Sequence, residues 1–173
     1  LRGKTMVSPV QAKYLMGLLS QNEHFAGAFL TRKWGTATVA KSVPEFRKRL
    51  KNLPEADHLL RFQEVPGYTL EVTRSIQRFT GEVYVLTDSR TSRMAEILAG
   101  ILQKEKLAKV AGQKTSAHPY ISDTFLICEG FGLQLPVALF FDSEGRNSFR
   151  SGITPDISAG NENALNLLLK TVL

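Results

Sequence analysis

The chain has 173 residues, 43% apolar and 22% charged, with a formal net charge of +6; that length suits one domain burying roughly 70% of its unfolded surface without a structural metal. The single Cys128 excludes an internal disulfide, no apolar run approaches the ~20 residues of a membrane span, and no secretory signal is visible. The positive charge invites a nucleic-acid or anionic-lipid partner, but the densest basic run, "FRKRLKN" at 46–52, lacks interleaved aromatics and any nucleic-acid motif, so it reads as the solvated face of a helix.

From the amino end, "VSPVQAKYLMGLLSQ" predicts a helix, with Ser8 as cap, Pro9 at the first helical position, and Val10, Tyr14, Met16, Leu18 and Leu19 as apolar surface. "HFAGAFLTRKWG" and "TATVAK" read as strands, and "PEFRKRLKNL" as a second helix opened by Pro44. In "YTLEVTRSIQRF", Leu70, Val72 and Ile76 alternate in part, which suggests a strand. "GEVYVLT" is a buried strand by its β-branched and aromatic content. After the polar turn "DSRTS", Met94, Ile97, Leu98, Ile101 and Leu102 fall on one face of a helix, about 18 Å long over twelve residues. "LAKVAG", "DTFLICEG" and "LQLPVALFFD" read as further strands, with "SEGR" a turn and Cys128 a small core residue. "NENALNLLLKTVL" closes the chain as a helix capped by Asn161 or Asn163, with Leu165, Leu168, Leu169 and Val172 on its apolar face. There is no internal repeat, and no metal or cofactor motif.

The strand–helix–strand order over 82–112 is a βαβ-like unit and favours an α/β fold. In such folds sites lie where strands end and helices begin, because a helix start presents unbonded N–H groups and a positive dipole end. "TDSRTSRMAEILAG", residues 87–100, has that location.

The same stretch resembles the tail-specific, or C-terminal-processing, serine peptidases. Asp88, Thr91, Ala95 and Glu96 match the Asn/Asp, Thr/Ser, small and Glu positions around that family's nucleophile, and Ala99 and Gly100 a small pair in its helix. Gly112 and Thr115 match its "G-E-x-T-x-G-K" loop, which carries the general-base Lys. Gly145, Arg146, Gly152, Ile153, Pro155 and Asp156 fit its closing "S-G-R" turn and "G-[IV]-x-P-D-[IV]" segment, and "LRG" looks like the tail of its glycine-rich opening motif. The match is best over 81–157. It implies an α/β crotonase/ClpP-like ββα spiral, here a peptidase-like domain over 1–173. Because the sequence opens at Leu1, it reads as the C-terminal part of a longer chain. The family works without a cofactor on peptide or protein chains. Its members are usually exported, to the periplasm or cell surface and often as lipoproteins, so membrane contact would come only through a missing amino-terminal region. No nucleic-acid partner is implied, and the oligomeric state stays open.

The resemblance fails at the chemistry. Aligned on Glu96, the nucleophile position holds Arg93, the base position falls on His118, and the stretch after Gly3 lacks the family's oxyanion glycines. A guanidinium stays protonated and offers no lone pair, so Arg93 cannot attack a carbonyl. Losing the nucleophile costs a serine hydrolase on the order of 10⁶ in rate, about 8 kcal/mol of barrier. The expectation is a degenerate, non-catalytic peptide-binding or structural module, with Gly3, Arg93 and His118 as candidate binding residues and a chain's C-terminus as one candidate ligand. The alternative is a working hydrolase in which Ser92 attacks and His118, a residue type that titrates near neutrality, is the base. Against it, neighbouring residues at a helix start point about 100° apart, and Ser92 also suits a helix cap. Ser89 reads as a turn residue, and Arg93 as an ion-pair partner for Glu96 three residues on. His24 and His58 have no evident partner.

Overall fold

The computed structural model describes Leu1 and residues 7–35, 42–57, 61–62, 64–159 and 163–172. The expected strand at 36–41, and the residues Gly3, His58 and Asn161, lie outside them. Twelve elements follow in the order α1 (Pro9–Leu19), β1 (His24–Leu30), α2 (Arg32–Gly35), α3 (Val43–Leu50), β2 (Gly67–Val72), β3 (Tyr84–Thr87), α4 (Arg93–Lys104), β4 (Lys109–Gly112), β5 (Tyr120–Cys128), β6 (Phe131–Asp142), β7 (Ile157–Ser158) and α5 (Ala164–Val172). They divide into two compact units, one of residues 1–24, 72–119 and 149–173, the other of 25–71 and 120–148. The protein is therefore α/β, as its sequence suggests.

The first unit is built on a three-stranded sheet in the order β3-β4-β7. β3 and β4 run parallel with Tyr84 opposite Lys109 and Thr87 opposite Gly112, the register of a βαβ crossover through α4. Met94 through Leu102 of α4 are all buried, so this helix is the spine of the unit rather than an amphipathic surface helix. Gly112 has φ +125, and a Cβ there would strike the Thr87 carbonyl oxygen. Asp156 locks the carboxyl end of "GITPD" onto the sheet: its carboxylate accepts from the Val110 N–H at 2.7 Å and from Gln103 Nε2 at 2.9 Å.

The amino-terminal helix keeps its expected Ser8 capping box. Ala12 and Met16 are its fully buried side chains, whereas Tyr14 is 64% exposed. The strand expected to reach Ile76 ends at Val72. Beyond it the backbone bonds to α1 instead, Ser75 N–H to Gly17 O at 3.0 Å and Phe79 N–H to Leu18 O at 2.9 Å, and Ile76 is left in solvent. Asn163 takes the closing-helix cap, its Oδ1 accepting from the Leu165 N–H at 3.1 Å. Ala164 and Leu168 face inward while Leu165 and Leu169 stay half-exposed.

The second unit carries a four-stranded sheet in the order β2-β1-β6-β5. Phe29 of β1 stands opposite Phe140 of β6, with ring centroids 5.2 Å apart, and both are buried. The chain expected to continue β1 to Gly35 turns into α2 after Thr31. Phe46 and Leu50, one helical turn apart, fix α3 against Ala28 and Leu30. That disposition explains the basic run: Arg47 lies 5.8 Å from the Phe25 ring centre and Arg49 5.4 Å from that of Trp34. The Asp142 carboxylate, itself buried, accepts from the Glu144 and Arg146 N–H groups and the Ser148 hydroxyl, which shapes the turn "DSEGR".

β5 and β6 form a long hairpin, and its distal half departs from expectation. Leu126, Ile127, Phe131, Leu133 and Leu135 are all exposed, as is Cys128. An apolar run read as core strand is here the far end of a hairpin that outruns its own sheet, so Cys128 is a surface thiol.

Candidate functional site

The turn between β3 and α4 is shaped by its own side chains. The Asp88 carboxylate accepts from the N–H groups of Arg90 at 2.9 Å and Thr91 at 3.0 Å, while the Thr91 hydroxyl accepts from the Asp88 N–H at 3.1 Å. These reciprocal bonds are why an Asp and a Thr three apart suit a sharp strand-to-helix reversal. Ser89 is an exposed turn residue, as expected. The Thr91 hydroxyl also reaches the Leu1 carbonyl at 3.1 Å, which brings the chain's first residue to the turn.

Arg93 opens α4 with φ +56, the left-handed region that a non-glycine residue enters only at a cost. A strained residue between an apolar strand and a helix is the backbone arrangement that lifts a nucleophile above an α/β sheet. Here the elbow is present and an arginine occupies it. The Arg93 N–H donates to the His118 carbonyl at 3.0 Å, so the two positions singled out in sequence are adjacent in space. Arg93 is half-buried and His118 exposed.

Ser92 stands at the N-cap position with extended φ −149, but its side chain makes no capping bond. The expected cap is therefore one of place only. Glu96, expected to pair with Arg93, is fully buried and faces the loop after β4. It accepts from the Thr115 hydroxyl, from the Ala117 N–H at 2.9 Å and from the His118 N–H at 2.8 Å. The Thr115 hydroxyl in turn accepts from the Ile153 N–H at 2.8 Å. Ser116 adds both its N–H, at 3.0 Å, and its hydroxyl, at 2.9 Å, to the Thr91 carbonyl.

This clamp is what the sequence reading missed. Its signal was a lone carboxylate in the apolar run "MAEILAG": a charge in such a place must meet several donors. Ala117, at the glycine of the "G-E-x-T-x-G-K" pattern, has φ +63, so the loop keeps a glycine's backbone without the glycine. Among the described residues no group of three His, Cys, Asp or Glu side chains could hold a metal ion.

The sequence profile of peptidase family S41 matches residues 17–159. The chain belongs to peptidase family S41. The carboxyl-terminal-processing protease of Synechocystis sp. is 33% identical over 72 residues, 42% of this chain and 17% of the protease. A structure named as an S41 protease from Bacteroides fragilis superposes with a TM-score of 0.66 at 18% identity, covering 99% of this chain and 43% of that one. A lipoprotein from Streptococcus agalactiae gives a TM-score of 0.56 at 15% identity, over 99% of this chain and 53% of its own. The α/β peptidase core of family S41 is thus the fold of this chain, which spans about half or less of the length of these three proteins. The S41 profile also reaches well upstream of residue 81, into a region without distinctive motifs of its own.

Proposed function

We propose that this S41 domain is degenerate: it no longer hydrolyses peptides and serves as a peptide-binding or structural module, with a chain's C-terminus as one candidate ligand. The observation that carries the reading is Arg93 at φ +56, a protonated side chain on the elbow where the family order puts the attacking hydroxyl. His118, at the position where the family order puts a lysine base, is an exposed imidazole rather than a buried amine. By relation to the Streptococcus agalactiae lipoprotein, we place its work outside the cytoplasm, in the periplasm or at the cell surface.

A second reading keeps one observation of its own. The Ser92 hydroxyl is not used as a cap, and the next residue's N–H is bonded to His118, so a Ser92–His118 hydrolase has its two groups in one neighbourhood. A fluorophosphonate probe separates the readings. The degenerate domain remains unlabelled and cleaves no peptide; stoichiometric labelling that Ser92→Ala abolishes would replace it with the hydrolase.

A further inference from the structure

The segment between β2 and β3 is pinned to α1, yet it leaves its apolar side chains in solvent. Its backbone is tied by the Ser75 N–H to the Gly17 carbonyl at 3.0 Å and by the Phe79 N–H to the Leu18 carbonyl at 2.9 Å. Gly17 admits this approach, because a Cβ there would stand 2.4 Å from the Thr73 carbonyl oxygen. A loop fixed by backbone bonds holds its side chains in place, and here those side chains are Ile76, at 101% relative exposure, and Phe79, at 54%. The helix that supports the loop leaves Tyr14 and Leu15 exposed as well. Single apolar side chains in solvent are ordinary; two on one braced loop and two more on its support make a contact surface.

The charges indicate what that surface meets. Arg74 and Arg78 flank Ile76 in the sequence, both are exposed, and neither joins an ion pair among the described residues. Lys13 precedes Tyr14, and residues 7–22 and 73–81 contain no Asp or Glu. We propose that this loop, with α1 behind it, docks the domain on an anionic lipid bilayer. Ile76 and Phe79 enter the boundary between headgroups and acyl chains, while the two guanidinium groups stay level with the phosphates. Each basic residue near an anionic leaflet raises the affinity about fivefold. A protein partner would need a pocket shaped to Ile76, whereas fluid lipid closes around any apolar projection. The denser basic run of α3 offers no such tip, since its Phe46 and Leu50 are buried. This contact belongs to the domain whether or not it hydrolyses peptides.

The test sediments the 173-residue chain with vesicles of phosphatidylcholine alone and of phosphatidylcholine mixed with phosphatidylglycerol. The chain is expected to bind the anionic vesicles, to leave the neutral ones, and to be released as salt is raised. Ile76→Ser with Phe79→Ser, and separately Arg74→Gln with Arg78→Gln, each weaken binding roughly tenfold or more and leave the unfolding midpoint unchanged. Removing two charges from the α3 run instead, in Lys48→Gln with Lys51→Gln, weakens it far less. In Phe79→Trp the added emission moves to shorter wavelength on the anionic vesicles, as a ring leaving water does. No binding to anionic vesicles overturns the proposal. Binding that survives the loop variants, or that the α3 variant reduces as much, also overturns it, because overall charge then suffices. Binding of soluble poly-glutamate that the loop variants abolish, without vesicle binding, overturns it in favour of an acidic protein partner.

Discussion

Arg93 and Ala117 share a backbone conformation that L-residues adopt at a cost of order 1 kcal/mol; the Arg93 N–H is bonded to the His118 carbonyl and the Ala117 N–H to the Glu96 carboxylate. Glycine releases that strain. Arg93→Gly and Ala117→Gly are each expected to stabilise the protein by about 0.5–1 kcal/mol, whereas Arg93→Val destabilises it, because a β-branched residue fits the left-handed region worst. Denaturant midpoints of the three variants test this; a destabilising Arg93→Gly would show that the guanidinium, not the backbone, holds the elbow. Glu96 is the other residue on which the turn depends. In Glu96→Gln the amide NH₂ meets the N–H or hydroxyl donors of Thr115, Ala117 and His118, so a loss of about 2–3 kcal/mol is expected. Faster hydrogen exchange at the Ala117 and His118 amides is the local signature, and unchanged exchange there would mean the clamp is not what orders the loop.

At the scale of elements, the βαβ unit was readable in advance because α4 and its flanking strands carry strong period patterns and Gly112 marks a close backbone approach. Gly112→Ala combines φ +125 with a clash against a backbone oxygen that cannot move away, and is expected to cost about 2 kcal/mol or more of unfolding free energy. The same strand pair carries a surface trio. The Tyr84 hydroxyl donates to Glu82 at 2.7 Å, and Lys109, opposite Tyr84 in the register, lies 3.5 Å from the same carboxylate. The Tyr84 hydrogen bond, then the Lys109 charge, hold the Glu82 carboxyl below its usual range. Glu82 in turn raises Tyr84, chiefly through that hydrogen bond, and Lys109, chiefly through its charge. A lowered acid contributes stability above its unfolded value and loses it as pH falls through the folded one. A raised phenol or ammonium contributes below its unfolded value and loses it as pH climbs through the folded one. The trio's small contribution is therefore present from about pH 5 to about pH 9 and fades at both ends. Comparing the parent with Glu82→Gln at roughly pH 3, 7 and 11 checks it: the two converge at the extremes and differ most in the middle.

Across the whole molecule, what was hard to read was not secondary structure but destination. "TFLIC" and "LQLPV" have strand composition and are strands, yet composition does not say where a sheet's core ends, and these segments run past it. Ile76 and Tyr14 failed for the same reason, being apolar residues on elements whose buried face is set by long-range partners. At the site, Asp88, Thr91 and Gly112 were legible because each serves a local backbone need; Glu96's true partners, about twenty residues downstream, were not. The hairpin makes a clean contrast in stability. Leu126→Lys, on its distal half, is expected to change unfolding free energy by less than about 0.5 kcal/mol, and Phe140→Ala, buried against Phe29, to cost about 3–5 kcal/mol. Stoichiometric reaction of Cys128 with a thiol reagent in the native state is the companion measurement; a protected thiol would place the hairpin tip under cover.

The interleaving of the two units governs the order of assembly. The first needs stretches 1–24, 72–119 and 149–173, and the second needs 25–71 and 120–148. No single cut of the chain liberates either, and both must close long loops before their last strands pair. During synthesis from the amino end, β3, α4 and β4 can gather early, but β7 reaches the sheet edge only after residue 158 has emerged, when the hairpin of the second unit is already complete. A nascent chain stalled just short of that point is a stringent folding intermediate to trap: it holds an unfinished parallel edge at Ala111 and Gly112, and its maturation is a race between β7 and any other strand that finds that edge first.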